Sequence, residues 1–344
     1  VKPDNSRKIK IDIPAIFLEN SSSERFITFS IKTNKKKGLI PENHEIAYEQ
    51  ISFPSIINKT QLDVGVLPNV SLDESEDEIN ITGELFSIQF DKKSANIKLY
   101  SFSNEVIFDQ PLKMNFWRAP TLNDERDGNG SKQWLRAGLN NLTEIPINIS
   151  VEKLSSSVIK VFTYCSFENE DHQVVFDVYQ SYTIFGNGMV DIYTQVLPHE
   201  IVSTLPKVGI QLVLDNDFNS VSWFGRGPME TYPDRCAAGT IDKFSSTVKD
   251  LHFDYVVPQE NGNRSEVRWL NISNDGNLSL NFTSDSLFNF SIRKYSDNAL
   301  EKAKHINELE YSKLTYLNLD YLQNGLGTAT CGPGCRDEYI IKSQ

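Results

Sequence analysis

The sequence has no apolar run near the roughly 18 residues that a membrane-crossing helix needs, so no membrane association is expected. It has no excess of positive charge either: 34 Lys and Arg stand against 46 Asp and Glu, a net charge of −12. Phosphate binding needs clustered Lys and Arg, so nucleic acid is not an expected partner. The one basic run, Lys35-Lys36-Lys37, abuts Gly38 and reads as a solvated turn. Only four cysteines occur in 344 residues: Cys165, Cys236, Cys331 and Cys335. That is too few for a disulfide scaffold, and the thiols are expected to stay reduced, as in a cytoplasmic protein. Cys331 and Cys335 are four apart, but no second Cys or His pair has zinc spacing, so no metal site is expected in this chain. The five histidines, His44, His172, His199, His252 and His305, show no grouping with a nucleophile. Serine or cysteine hydrolase chemistry is therefore a poor fit.

Helical periodicity is also scarce, and the dominant period is two. Residues 8–13, 25–33, 44–53 and 314–321 alternate apolar and polar side chains. Residues 174–182 and 189–196 flank Gly186-Asn187-Gly188, which predicts a long β-hairpin, since Gly and Asn accept positive φ at low cost. Two short helical signals remain. Residues 131–139 place Trp134, Leu135, Gly138 and Leu139 on one face, and Ser296 can cap a turn through Leu300 and Ala303. The expected class is all-β with small helical insertions. Alternation lapses after residue 54 and an acidic run follows, Asp73, Glu74, Glu76, Asp77 and Glu78. This self-repelling stretch reads as a linker or exposed turn. The expected division is a first domain at 1–54, a linker at 55–75 and a second domain at 76–344. Three strands cannot close a two-sheet sandwich, so the first domain is expected to be partial.

Polar chemistry concentrates in four places. The first is Asn115-Phe116-Trp117-Arg118-Ala119-Pro120-Thr121-Leu122-Asn123-Asp124. The second runs from Trp223-Phe224-Gly225-Arg226-Gly227-Pro228 through Glu230 and Tyr232 to Asp234 and Arg235. The third is Pro258-Gln259-Glu260-Asn261-Gly262-Asn263-Arg264. The fourth is Gly325-Leu326-Gly327, continuing to Cys331-Gly332-Pro333-Gly334. Aromatics beside Asn, Asp, Glu and Arg suit sugars, whose C–H faces stack on rings and whose hydroxyls need planar partners. The same residues equally suit buried Arg–carboxylate staples between strands. Arg118, Arg226, Glu230, Asp234, Arg235, Glu260, Asn261 and Arg264 are open to both readings. Glu230 and Glu260 have the composition of an acid/base pair, but glycoside hydrolysis needs two carboxyls at a controlled separation, which spacing along the chain does not give.

These four segments, in this order, resemble the C-terminal region of β-galactosidases of glycoside hydrolase family 2, over roughly residues 45–339. The resemblance implies that residues 1–54 are the back half of an immunoglobulin-like β-sandwich. It implies that residues 76–344 are a large antiparallel β-supersandwich related to galactose mutarotases. In that family the catalytic glutamates and the magnesium and sodium ligands lie in an upstream TIM barrel that this chain does not match. No catalytic residue and no cofactor is therefore assigned here. The chain is expected to be a piece cut at both ends and inactive alone. It would complete the substrate site of an enzyme that hydrolyses terminal β-D-galactose, as in lactose. Its implied partners are the remaining domains or subunits, a β-galactoside, and further copies in a homo-oligomer. The family's loop after Asn-Asp borders the active-site mouth, here residues 125–131, and its C-terminal Gly-x-Gly loop reaches the sugar. Asn123, Asp124, Gly128, Cys331 and Gly332 are accordingly the expected substrate-binding residues. Many bacterial members carry Ser-Trp where this chain has Cys331-Gly332, a departure that argues against aromatic stacking and leaves Cys331 as the expected sugar-facing side chain. A stand-alone carbohydrate-binding or mutarotase-like module is the alternative.

Overall fold

Alternation becomes strand only where a partner ladder takes up the backbone N–H and C=O groups. The computed structural model describes residues 4–17, 19, 21, 23–55, 62–126, 130–215, 217–276 and 278–343. The chain divides into two units, Val1–Asp63 and Val64–Gln344. In the first, β1 (Arg25–Lys32) pairs antiparallel with β2 (Glu45–Phe53). The connection carries Lys35, Lys36 and Lys37 in the open, with Gly38 at φ +62° making the turn. Residues 8–13, expected as a third strand, form none. Ile9 and Ile11 are exposed, and among the described residues no ladder lies opposite them to bury their alternation.

The second unit begins with a five-stranded meander: β3 (Ser71–Glu74), β4 (Glu78–Thr82), β5 (Phe86–Asp91), β6 (Asn96–Phe102) and β7 (Glu105–Phe108). The acidic run is thus an exposed turn with a strand on either side, the second of the two readings its sequence left open. Asp73 and Glu74 lie in β3, Glu78 opens β4, and only residues 75–77 turn. Lysines nearby offset the self-repulsion: Lys92 pairs with Glu74 at 2.7 Å, Lys93 with Asp77 at 2.8 Å and Lys98 with Glu78 at 3.2 Å. Strand β3 starts inside the stretch expected to be linker.

After β8 (Lys113–Asn115) and α1 (Ser131–Arg136) comes a four-stranded sheet of β9 (Thr143–Lys153), β10 (Val158–Glu168), β11 (Val174–Phe185) and β12 (Val190–Pro198). The β11–β12 hairpin turns at Gly186-Asn187-Gly188 as expected. Gly188 has φ +87°, and a Cβ on Gly186 would sit 1.8 Å from the Pro68 carbonyl oxygen. The short β13 (Thr204–Leu205) precedes the rest of the largest sheet: β14 (Lys207–Asp215), β15 (Ser220–Gly227), β16 (Thr240–Thr247), β17 (Arg264–Ser273), β18 (Ser279–Arg293) and β19 (Leu314–Gln323). Its order is β16-β15-β17-β18-β19-β14-β8. Helix α2 (Val248–Leu251) follows β16 and α3 (Asp297–Lys302) follows β18. Strand β20 (Ile341–Lys342) pairs with β13.

Every pair among the described strands is antiparallel, and the class is all-β. The five-, four- and seven-stranded sheets share one core, in which Ile79, Phe90, Val161, Tyr182, Trp223, Leu270, Phe290 and Leu317 are fully buried. Each such side chain contributes about 1.5–3 kcal/mol by leaving water. A second cluster, with Phe116 stacked on Phe176 at 4.2 Å, packs under α1. In α1 Trp134 is buried, but Leu135, expected on the same face, is 48% exposed. Residues one apart on a helix point about 100° away from each other, so only one of the two can face the core. Ser296 does cap α3, its hydroxyl accepting the Ala299 N–H at 3.1 Å.

Candidate functional site

The four polar segments leave the sheet as loops: after β8, between β15 and β16, before β17, and after β19. Hydrogen bonds tie them to one another. Asn115, at the end of β8, donates to Asn318 at 2.9 Å and to Asp297 at 3.1 Å, and accepts the Trp117 N–H at 3.0 Å. That fixes the exit of the first loop.

Arg118 follows, 0% exposed. Its Nη2 and Nε donate to the two Asp124 oxygens at 2.7 and 3.3 Å. It also donates to the carbonyls of Asn324 at 2.8 Å and Gly325 at 3.1 Å, and lies 5.3 Å from the Trp134 ring centroid. Burial opposes the guanidinium charge, but Asp124 outweighs it and holds Arg118 above its ordinary pKa. Asp124 accepts from the Thr121 N–H and hydroxyl as well, both at 2.9 Å, and is 1% exposed. Asp124, expected at the sugar, is a buried staple whose two oxygens are both engaged by Arg118. Asn123 beside it is committed to the fourth loop: its amide donates to the Gly327 carbonyl at 2.9 Å, and its oxygen accepts from the N–H and hydroxyl of Thr330.

Asp234 clamps the fourth loop from the other side, accepting the Leu326 N–H at 3.0 Å and the Gly327 N–H at 2.7 Å. This explains the Gly-Leu-Gly run. A Cβ on Gly325 would lie 2.9 Å from the Asp234 carboxyl carbon and 2.5 Å from the Cys335 sulfur. Gly327 has φ +64° and lies too close to the Cys335 nitrogen for any side chain. Beyond the clamp, residues 328–332 turn back through Cys331 N–H and Gly332 N–H bonds to the Thr328 carbonyl, at 3.1 and 2.7 Å. Cys331 is a free, exposed thiol at the tip, and Gly332 is exposed beside it. Gly128 lies outside the described residues.

The remaining candidates are staples in this geometry. Glu260 is buried; Arg293 donates to it at 2.9 Å and to Asp297 at 3.0 Å, and the Tyr232 hydroxyl reaches it at 3.4 Å. Glu230 accepts from Arg235 at 2.6 Å, from the Gly262 N–H at 2.8 Å and from the Tyr255 hydroxyl. Asn261 accepts the Phe253 N–H at 3.1 Å and gives its carbonyl to Arg293. Arg264 donates to the carbonyls of Leu251, Gly262 and Pro228. Arg226 pairs with Glu266 at 2.6 Å and donates to the Gly239 carbonyl at 2.8 Å. Glu230 and Glu260 are each held by an arginine and a tyrosine hydroxyl.

Sequence reasoning missed Arg293, Asp297, Lys207 and Asp320. Their only signal is a charge in an otherwise apolar strand, as in Leu317-Asn318-Leu319-Asp320, or an i,i+4 pair such as Arg293 and Asp297. A cleft of about 470 Å³ lies beside the first loop, lined by Pro120, Leu122, Glu125, Ser131, Gln259 and Glu301 among others. Among the described residues no group of three or more His, Cys, Asp or Glu could hold a metal ion; buried Asp124 and Glu260 face guanidinium groups, and buried Asp320 faces Lys207.

Residues 82–344 match the family described as beta galactosidase small chain. The chain is 32% identical to a β-galactosidase of Vibrio cholerae over 259 residues, covering 73% of this chain and 24% of that protein. It is 26% identical to a β-galactosidase of Priestia megaterium, covering 95% of this chain and 31% of that one. For the Kluyveromyces lactis β-galactosidase the identity is 28%, covering 97% and 33%. The chain thus spans about a third or less of the length of these curated relatives. A solved structure of an Escherichia coli K12 protein, described as a candidate aldose 1-epimerase, covers 73% of this chain at 8% identity with a TM-score of 0.34. That likeness is loose, and the fold rests on the strand pairing itself.

Proposed function

We propose, from the premise that this chain belongs to the beta galactosidase small chain family, that it is the non-catalytic C-terminal portion of a glycoside hydrolase family 2 β-galactosidase. The whole enzyme would release terminal β-D-galactose, as from lactose, and this portion would complete its substrate site. One observation carries the reading. The four loops are tied to one another by hydrogen bonds through Arg118, Asn123, Asp234 and Glu230, yet they present an exposed loop tip rather than a free pair of carboxyls. Hydrolysis of a glycoside needs two carboxyl groups about 5–10 Å apart with access to the sugar. Glu230 is engaged by Arg235, Tyr255 and the Gly262 N–H, and Glu260 by Arg293 and Tyr232, which supports placing the acid and the nucleophile elsewhere. The acid, the nucleophile and the magnesium and sodium sites belong, in this reading, to the rest of the enzyme.

What this portion supplies is a positioned surface. The 328–332 turn is held at its base by Asn123 and Asp234, which leaves Cys331 and Gly332 free at its tip to meet the galactoside. Function on loops held by a rigid sheet is the ordinary arrangement in β scaffolds. The cytoplasm, where thiols stay reduced, is the proposed compartment, and the complete enzyme is proposed to be a homo-oligomer. The test is turnover of a chromogenic β-galactoside. The 344-residue chain alone should give none above buffer, and mixing it with the complementary portion should restore turnover. Hydrolysis by the isolated chain that is lost on Glu260→Gln would place the chemistry here and overturn the reading.

A further inference from the structure

Behind the stapled loops, three buried side chains carry hydrogen-bonding atoms without a partner. Lys207 opens β14; its Nζ is 3.6 Å from Asp320 Oδ1, beyond hydrogen-bond distance. Asp320, on β19, is 0% exposed, and neither of its carboxyl oxygens has a hydrogen-bond partner. Gln323 stands opposite Lys207 in the β14–β19 ladder, buried, with its Nε2 unpartnered. The other half of that amide is fixed: Oε1 accepts from Arg118 at 3.3 Å. The Gln323 side chain cannot turn to serve Asp320 without losing Arg118.

The strands are shaped to place these groups. The β14–β19 register shifts between Val208 and Gly209, so that Gly209 faces Asp320 and Tyr321 is passed over. A Cβ on Gly209 would lie 2.2 Å from Asp320 Oδ1, so glycine is what leaves the carboxyl its position. On the next strand Asn289 faces Asp320 and donates to its carbonyl at 3.4 Å. It also accepts, at 3.4 Å, from Asn263, whose own oxygen is buried and unpartnered.

An unmet buried donor or acceptor costs about 1–3 kcal/mol, and native sites seldom leave several together. Water can meet them, since it offers two donors and two acceptors and buried waters bridge two to four polar groups. We propose that Lys207, Asp320 and Gln323 form a built internal water site. The water accepts from Lys207 Nζ and Gln323 Nε2 and donates to the Asp320 carboxyl. The ammonium of Lys207 excludes a metal cation from the same position. Burial pushes the Asp320 carboxyl up to about 7 despite Lys207, as expected where no direct donor bonds it. Gln323 passes the anchoring on, because the Arg118 it touches also holds the Asn324 and Gly325 carbonyls. The water thus buttresses the root of the 325–335 loop.

The test is a high-resolution crystal structure of the 344-residue chain, paired with oxygen-17 relaxation dispersion, which counts long-lived internal waters. The expected result is a water within about 3.2 Å of both Lys207 Nζ and an Asp320 oxygen. The Lys207→Met, Asp320→Leu double variant should lose at least one long-lived water, and Asp320→Asn should keep it. A direct Lys207–Asp320 bond with no water density at either group overturns the proposal. If the double variant fails to fold, the density in the unmodified chain decides alone.

Discussion

Asp320 is a carboxyl whose ionisation opposes folding. It faces Lys207 from β14, Arg293 from β18, Asp297 from α3 and Glu260 from the loop before β17. Burial and the two carboxylates outweigh the two cations, raising it to about 7, against about 3.9 in an unfolded chain. Below about pH 4 both states hold the proton and the group contributes nothing. As pH rises towards 7 the unfolded state releases the proton while the native state keeps it, so stability falls; above 7 the penalty is complete and constant. Asp320→Asn cannot ionise. Its urea midpoint should therefore gain on that of the unmodified chain between pH 4.5 and pH 8, and a gap that stays constant with pH would show that Asp320 titrates as an ordinary carboxyl. The cysteines offer a second comparison. Cys331 is exposed at a loop tip, whereas burial and Glu144 push the Cys165 thiol up to about 12. Alkylation at pH 8 followed by mass spectrometry should modify Cys331 first and Cys165 only on unfolding. Slow labelling of Cys331 would mean that the 328–332 turn packs away from solvent.

At the scale of loops and strands, the staples are sensitive to the loss of either partner. Removing one member of a buried ion pair leaves the other charge uncompensated, which costs about 3–5 kcal/mol. Arg118→Ala should cost that much by chemical denaturation, since it strands Asp124 and frees two carbonyls. Arg235→Ala, at a pair whose arginine is half exposed, should cost about 1 kcal/mol or less. Equal losses would show that the first loop is not the keystone. The strands themselves were largely legible: the β11–β12 hairpin, β19 and the Ser296 cap follow from local alternation and turn chemistry. Residues 8–13 depart from that pattern because alternation signals a strand without revealing whether a partner lies opposite. The four polar segments could be found from sequence, but not their roles. Asp124 has the same spacing from Arg118 whether it staples a loop or binds a sugar, and only its burial separates the two. Lys207 and Asp320 were invisible because their meeting depends on a register shift between strands.

At the scale of the whole chain, the two units differ in what holds them. Val64–Gln344 has three sheets around a shared core, with the interior of β10 and β11 fully removed from water. In Val1–Asp63 the described strands are β1 and β2 alone, and both carry exposed apolar residues, Ile31 on one and Ile46 and Ile51 on the other. A two-stranded ribbon is marginally stable at best, because one ladder and one thin apolar face do little to offset the lost chain entropy. Amide hydrogens then exchange through local opening at a free energy well below that of global unfolding. Hydrogen exchange on the 344-residue chain should show weak protection across Arg25–Lys32 and Glu45–Phe53. Protection across Val158–Glu168 and Val174–Phe185 should approach the global limit. If the ribbon exchanges as slowly as β10 and β11, something beyond its own ladder stabilises it, and the first unit folds as cooperatively as the second.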